Sequence, residues 1–276
     1  MPAPAILMAN TMALLAPARF RTEAGRRFIR PRVRQQSDTG RDFLESLDAS
    51  WIEGPKGRQR LYSGGSGPLV LFQHGWEADA ADLSSHAQRL FETGWRVAIL
   101  DGPAHGASEG HTASIVEFAH GLGAAAATLG QPFAVVGHSM GAASAVVAMS
   151  EGLLAPKAFV GLASPCTMAG NIEWQASRLG MSGRAIALLK EGVAYRLGEP
   201  LDRFDVTRDA PHLSASALFL HGDNDVIIPD SAGREAAAGW PGAQLAILPG
   251  IGHRGILRHP DVLTRVSTFL EQARGS

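Results

Sequence analysis

Six short runs of almost unbroken apolar character recur along the chain: LVLFQ (69–73), WRVAIL (95–100), FAVVG (133–137), KAFVGL (157–162), SALFLH (216–221) and AQLAIL (243–248). A strand with water on one face alternates apolar and polar residues, whereas a continuous apolar run suits a strand covered on both faces. Helical patterns lie between or after these runs, at 82–94 (Asp82 as N-cap, Gly94 as stop), 113–129, 140–151, 230–239 and 260–273. Strand-then-helix alternation predicts an α/β fold built on a mostly parallel, doubly wound sheet. Ile52 and the run Arg58–Tyr62 read as short edge strands ahead of the turn SGGSGP at 63–68.

The rhythm breaks once. Between Cys166 and Ala215 no strand is apparent, but GRAIALLKEGVAYRL places Ile186, Leu189, Val193 and Leu197 along one helical face. A helical insertion there would stand over the carboxyl ends of the strands, where open α/β sheets bind ligands. Residues 166–215 are expected to form a small helical cap; a plain two-helix crossover with no part in binding is the alternative. The expected organisation is an N-terminal helical arm over residues 1–50 and one domain over 51–276 that carries the cap. A chain of 276 residues is long enough to bury such a core.

The first segment, APAILMANTMALLAPA, is apolar and alanine-rich, and a basic run follows it: Arg19, Arg21, Arg26, Arg27, Arg30, Arg32 and Arg34, opposed only by Glu23. No Lys or Arg precedes the apolar part, and Pro4 and Pro17 suit a spanning helix poorly, so neither a secretory signal nor a membrane span is expected. An arm with a solvated arginine face, packed on the body or on a second subunit, is the expectation; interfacial membrane contact and a cleaved targeting segment stay open. A net charge of −1 gives no general reason to expect nucleic acid as a partner. Cys166, the only cysteine, excludes an intrachain disulfide and a tetrathiolate zinc site, and fits a reducing, cytoplasmic compartment.

The chemistry centres on AVVGHSMGAAS (134–144). Glycines two positions either side of Ser139 give G-x-S-x-G, the pattern of a tight strand-to-helix turn that lifts a serine hydroxyl above the sheet. FAVV before it and AASAVVAM after it supply the strand and the helix. A serine hydroxyl needs a base, and the base needs orienting. Among ten histidines, His253 lies in the Gly-rich loop LPGIGHRGIL after the last strand, free to reach the carboxyl edge. His138 is expected to point away as a structural partner; His221 and His259 read as structural, and His86, His111, His120 and His212 as surface or helix residues. For the acid, LFLHGDNDVIIP and the residue after it offer Asp223, Asp225 and Asp230; Asp225 is preferred, with Asp223 bonding its own backbone in a turn. Ser139, Asp225 and His253 then follow the chain order expected of this architecture. Donors for an oxyanion would be the Met140 N–H after the elbow and the Trp76 N–H after the buried strand ending in His74-Gly75-Trp76. Trp76 and Trp174 are the candidate substrate-binding side chains.

The stretches LFQHGW (71–76), DGPAHGASEG (101–110), VVGHSMGA (135–142), LFLHGDNDVIIP (218–229) and GIGHRGIL (250–257) resemble, in order, the α/β-hydrolase superfamily in its esterase, lysophospholipase and serine-aminopeptidase-like branch. The resemblance implies Ser139 as nucleophile, Asp225 as acid, His253 as base, and the Trp76 and Met140 amides as oxyanion hole. It also implies that residues 101–108 are a structural loop in which His105 is a buried hydrogen-bonding residue. No H-G-G-G run precedes the oxyanion position, so the hormone-sensitive-lipase type is not the one resembled. The expected function is hydrolysis of a carboxylic ester through an acyl-enzyme, without metal or cofactor, on a small-molecule substrate with an apolar acyl group. Thioesterase, lactonase and carbon–carbon hydrolase chemistry, and a slow or non-catalytic ligand-binding protein on the same scaffold, are the alternatives.

Overall fold

A computed structural model describes residues 3–32 and 40–275; Arg34 of the basic run, and Met1, Pro2 and Ser276 at the ends of the expected segments, lie outside the described residues. Two helices open the chain, α1 (Pro4–Leu15) and α2 (Pro17–Phe28), each with proline in its first turn, where a helix has no use for the N–H. There follow α3 (Arg41–Glu45), β1 (Asp48–Gly54), β2 (Gly57–Gly64), β3 (Leu69–Gln73), α4 (Ser84–Glu92), β4 (Arg96–Leu100) and α5 (Ile115–Leu129). The middle of the chain gives β5 (Ala134–His138), α6 (Met140–Ser150), β6 (Ala158–Leu162), α7 (Met168–Arg178), α8 (Gly183–Leu197) and α9 (Val206–Asp209). The last elements are β7 (Ser216–Gly222), α10 (Asp230–Gly239), β8 (Gln244–Leu248) and α11 (Pro260–Gly275).

The strands form one eight-stranded sheet in the order β1-β2-β4-β3-β5-β6-β7-β8. β2 is antiparallel to both β1 and β4, and every other pairing is parallel. The continuous apolar runs divide by alternation between the two faces. Val70, Phe72, Ile99, Val136 and Val160 pack with Leu90 of α4 and Val266 and Phe269 of α11. Leu71, Leu100, Val135, Phe159 and Phe219 pack on the other face with Leu122 of α5 and Val146 of α6. Each such side chain contributes roughly 1.5–3 kcal/mol on full burial, so the parallel centre of the sheet is the rigid base from which the connecting loops rise. The chain leaves β3 for β4 on one side and crosses back to β5 on the other, and the loops after β3 and β5 part at that reversal, the place for a ligand crevice.

Two local expectations change. Asp82 does not cap the 82–94 helix: a 3-10 turn over Ala80–Leu83 starts earlier, and Asp79 caps it by accepting the Ala81 N–H at 3.0 Å. Asp82 instead accepts from Arg254 Nη2, 2.6 Å from each oxygen. His86 is a helix residue, one of its two expected settings, but a buried one, because it shares the inward side of α4 with Ala87 and Leu90.

Helices α7, α8 and α9 lie between β6 and β7, with Ile172, Val193 and Leu201 packed together at their centre. The arm packs against them: Ala13 and Phe20 cluster with Ala185, and α2 crosses α8 where Gly25 meets Gly192. A Cβ on Gly25 would stand 2.5 Å from Gly192 C and 3.0 Å from its Cα, and one on Gly192 would overlap Arg21 O. Asn10 fastens the far end, donating from Nδ2 to Gly180 O at 3.0 Å and accepting the Ser182 N–H at 2.8 Å. Overpacking a contact of this kind costs typically ~1–3 kcal/mol. Gly25→Ala is therefore expected to lower the unfolding free energy by about that amount, read from the urea midpoint; an unchanged midpoint would show that the seam yields.

Candidate active site

The site begins with backbone. Ser139 sits between β5 and α6 at φ 54° and ψ −124°, in the left-handed half of conformational space that a residue with a Cβ avoids. Its flanking glycines show why the turn holds. A Cβ on Gly137 would stand 2.6 Å from Ala142 N, and one on Gly141 would overlap the carbonyl oxygens of Gln73 and His74. The Ser139 N–H donates to Leu162 O at 2.9 Å, tying the elbow to the end of β6. Ser139 stands at the N-terminus of α6, where the helix dipole favours negative charge.

His253 and Asp225 meet as the sequence order anticipates. His253 Nδ1 donates to Asp225 Oδ2 at 2.7 Å, which leaves Nε2 on the far edge of the ring, free of that bond. Asp225 Oδ1 accepts from the Ile227 and Ile228 N–H groups at 2.8 and 2.9 Å, so the loop after β7 wraps its own carboxylate. Burial alone pushes this carboxyl up; hydrogen bonding from His221 and His253, the His253 charge and the Ile228 N–H outweigh it and hold the group well below the usual range. Asp225 is thus an ionised carboxylate. Asp223 does not bond its own turn; its Oδ1 accepts the Gly250 N–H at 2.7 Å and braces the acid loop against the base loop.

Three other histidines shape the site as neutral struts. His74 Nδ1 donates to Gly75 O at 2.7 Å while Nε2 accepts the Gly102 N–H at 2.9 Å. His105 repeats the pattern, with Nδ1 donating to Pro103 O at 2.7 Å and Nε2 accepting the Glu77 N–H at 3.0 Å. The pair clamps residues 74–77 onto the loop after β4. His138 does not point away from the site: its ring lies 4.7 Å from that of His253, and its Nε2 donates to His253 O at 3.0 Å. As the last residue of β5 it projects to where the 250–254 loop passes. Gly75 rests on the elbow, since a Cβ there would be 2.9 Å from Ser139 Cβ. Neither the Trp76 nor the Met140 backbone N–H finds an acceptor among the described residues.

Ser139, His253, Trp76 and Met140 all border one cavity of about 1030 Å³. Its walls are largely apolar, with Val146 and Val147 of α6, Met168 and Ile172 of α7 and Leu189 of α8 among them. Trp174 is not in that wall. It lies two positions beyond Ile172, about 200° around the helix, and Arg178 covers its ring at 5.4 Å. A wall that no sequence pattern announces comes from the arm: Phe28, Ile29 and Arg32 border the cavity, the Ala113 N–H donates to Ile29 O at 2.8 Å, and Arg32 Nε pairs with Glu77 at 3.0 Å. Among the described residues, no group of three or more His, Cys, Asp or Glu side chains is placed to hold a metal ion.

A family model described as the alpha/beta hydrolase family matches residues 69–266. A curated non-heme haloperoxidase from Rhodococcus erythropolis is 27% identical over 241 residues, covering 68% of this chain and 86% of that protein. Among solved structures, a thermophilic esterase from Thermogutta terrifontis has a TM-score of 0.63 at 20% identity, covering 82% of this chain and 99% of that one. A structure described as a membrane phospholipase A, a bacterial virulence factor, has a TM-score of 0.66 at 17% identity and covers 99% of this chain and 97% of that one, so the likeness in fold extends over the arm.

The buried struts carry a pH signature. Burial pushes His74 down to about 3 and His86 to about 4, and holds His138 well below its ordinary value, whereas buried Asp101 is pushed up to about 7. The histidine contributions are complete above the unfolded histidine pKa and are lost as pH falls toward the folded ones. The Asp101 contribution runs oppositely, present in acid and lost as pH rises through about 7. Between about pH 4.5 and 6 the unfolded chain holds about three protons, on His74, His86 and His138, that the fold lacks, and the fold holds one on Asp101; burial shifts His105 in the direction of the first three and Asp79 in that of Asp101. Stability is expected to rise with pH across this window by on the order of 2 kcal/mol per unit. Urea unfolding at several pH values within it measures the slope; a flat or falling profile would contradict the assignment of neutral buried histidines.

Proposed function

The chain belongs to the alpha/beta hydrolase family, and on that premise we propose that it is a serine hydrolase that cleaves carboxylic esters through an acyl-enzyme. The observation that carries the reading is the 2.7 Å bond from His253 Nδ1 to the ionised Asp225, made beside a cavity into which the strained Ser139 also opens. Asp225 fixes the imidazole with its proton on Nδ1, so Nε2 is the basic nitrogen. Ser139 Oγ attacks the acyl carbon as its proton passes to Nε2, and the negative charge that develops on the carbonyl oxygen lies among the Trp76 and Met140 N–H groups. Collapse expels the alcohol, which takes the proton from His253. Water, deprotonated by the same nitrogen, then releases the acid and restores Ser139. The apolar cavity walls support an apolar acyl group. A cytoplasmic location fits the single, buried Cys166.

The Rhodococcus haloperoxidase adds one reading: an acyl group on Ser139 could pass to hydrogen peroxide in place of water, giving a peracid and the free serine. Ester turnover with peroxide added, scored for peracid, separates the two.

Ser139→Ala is expected to lower kcat on p-nitrophenyl esters by about 10⁶-fold, leaving ~10³–10⁴ over water, and to abolish labelling by a fluorophosphonate. Asp225→Asn, which favours the wrong imidazole tautomer, is expected to cost about 10⁴-fold. Hydrolysis by Ser139→Ala at the parent rate would end the proposal. Labelling of Ser139 without turnover of any ester or thioester would favour a ligand-binding protein on this scaffold.

A further inference from the structure

Helix α1 is turned inside out for a helix facing water. At about 100° per residue, Leu14, Leu7, Thr11, Pro4, Leu15 and Met8 fall within one outward sector of ~120°. Leu7, Met8, Leu14 and Leu15 are 61%, 63%, 65% and 77% exposed, while the smaller Ala9 and Ala13 face the cap. The one polar side chain of the sector, Thr11, spends its hydroxyl proton on Leu7 O at 2.9 Å. Beyond the lone pairs of the Thr11 hydroxyl no side chain on that face can hydrogen-bond to water, and its large residues are outermost.

The arm that carries this face holds charge of nearly one sign. Over residues 3–32 the only acid is Glu23, against Arg19, Arg21, Arg26, Arg27, Arg30 and Arg32, all exposed. Arg26 and Arg27 share Glu23, Arg32 pairs with Glu77 and Arg21 stands 3.7 Å from Glu191, which leaves the arm with more arginines than paired acids. We propose that the outward face of α1 and the arginines of α2 form a docking surface for an anionic lipid layer, on which the arm lies in the interfacial plane. Such a layer offers apolar depth to the leucines and phosphate to the arginines. A second copy of the chain would bring two cationic arms together, which charge opposes. With 12 residues, α1 is too short for a span, and among the described residues no helix is long and apolar enough to cross a membrane.

The surface adjoins the cavity. Phe28 and Arg30 of the arm border it, and so does Leu179, which is 60% exposed and precedes the Gly180 carbonyl held by Asn10. A docked arm therefore sets the cavity rim against lipid, and an amphiphile whose acyl chain enters toward Ser139 is the substrate class this position suits. That last step rests on the hydrolase reading; the docking does not.

Co-sedimentation with vesicles of phosphatidylglycerol and phosphatidylcholine tests it, with pure phosphatidylcholine as the uncharged arm. The parent and Ser139→Ala are expected to pellet alike with the anionic vesicles, and at least about 10-fold less with the uncharged ones or in high salt. Leu7→Asp with Leu14→Asp is expected to lower partitioning by ~100-fold or more, with unfolding midpoint and short-ester turnover unchanged. Arg19→Glu should weaken anionic binding several-fold. Three outcomes would overturn the proposal: a parent that stays in the supernatant, a double variant that pellets like the parent, or a parent dimer that the double variant splits. Absence of ester turnover with pelleting intact would remove the hydrolase reading and leave the docking surface standing.

Discussion

Helix α6 enters the sheet so closely that Gly141 lies against the carbonyl oxygens of Gln73 and His74 at the end of β3, where nothing larger than hydrogen fits. That approach fixes the height of α6 over the sheet, and through it the turn that carries Ser139 at positive φ. A strain of one to a few kcal/mol persists only where the surroundings over-determine it. Here they do: Ala142, Ala145 and Val146 are buried beneath the helix, and the Ser139 N–H is tied to Leu162 O. The same contact sets Gly75 over the serine, so the loop after β3 and the elbow are positioned by one surface.

Around this contact the structure uses imidazoles as uncharged braces. His74 and His105 each give one proton to a backbone carbonyl and accept one from a backbone amide, a task that a protonated ring could not perform. His138 donates to the carbonyl of His253 and is likewise held neutral by burial. These rings thereby add no charge beside His253, which faces the Asp225 carboxylate, itself held ionised by His221, His253 and its own loop. A cationic His138 at ring distance from His253 would oppose the imidazolium that a proton acceptor must become.

The parallel sheet was legible in the sequence because strands such as Leu69–Gln73 and Ala158–Leu162 are buried on both faces and carry no polar interruption. The meeting of Asp225 with His253 was legible because both lie in loops just after strands, so short reach decides their geometry. Helix boundaries set by a single side chain were harder: Asp82 reads as the cap, but Arg254, 172 positions away, engages its carboxylate, and Asp79 caps the turn instead. Trp174 shows the limit of residue type as a guide. An aromatic in the cap looks like a substrate contact, but the turn of α7 points it away from the wall that Ile172 enters. The docking of the arm on α8 depends on two glycines, Gly25 and Gly192, that carry no pattern at all in the linear chain.

The arm joins functions that the linear chain separates. Its seam with α8 is interlocked at backbone level, whereas its ties to the sheet side of the cavity are slighter: one backbone bond at Ile29, and at Glu77 the exposed Arg32 side chain together with the Arg32 N–H at 3.1 Å. An exposed ion pair contributes about 0–1 kcal/mol, and a single hydrogen bond about 1. Arm and cap are therefore more firmly joined to each other than the arm is to the loop carrying Trp76. Whatever load an interface places on α1 is carried first into α8, whose Leu189 borders the cavity, and only weakly into the loop that holds Trp76 over Ser139. The Ser139 turn rests on the sheet, and the dimensions of the cavity rest on the arm, so changes at the two ends of the chain act on different quantities: the placing of the Ser139 hydroxyl, and the room beside it.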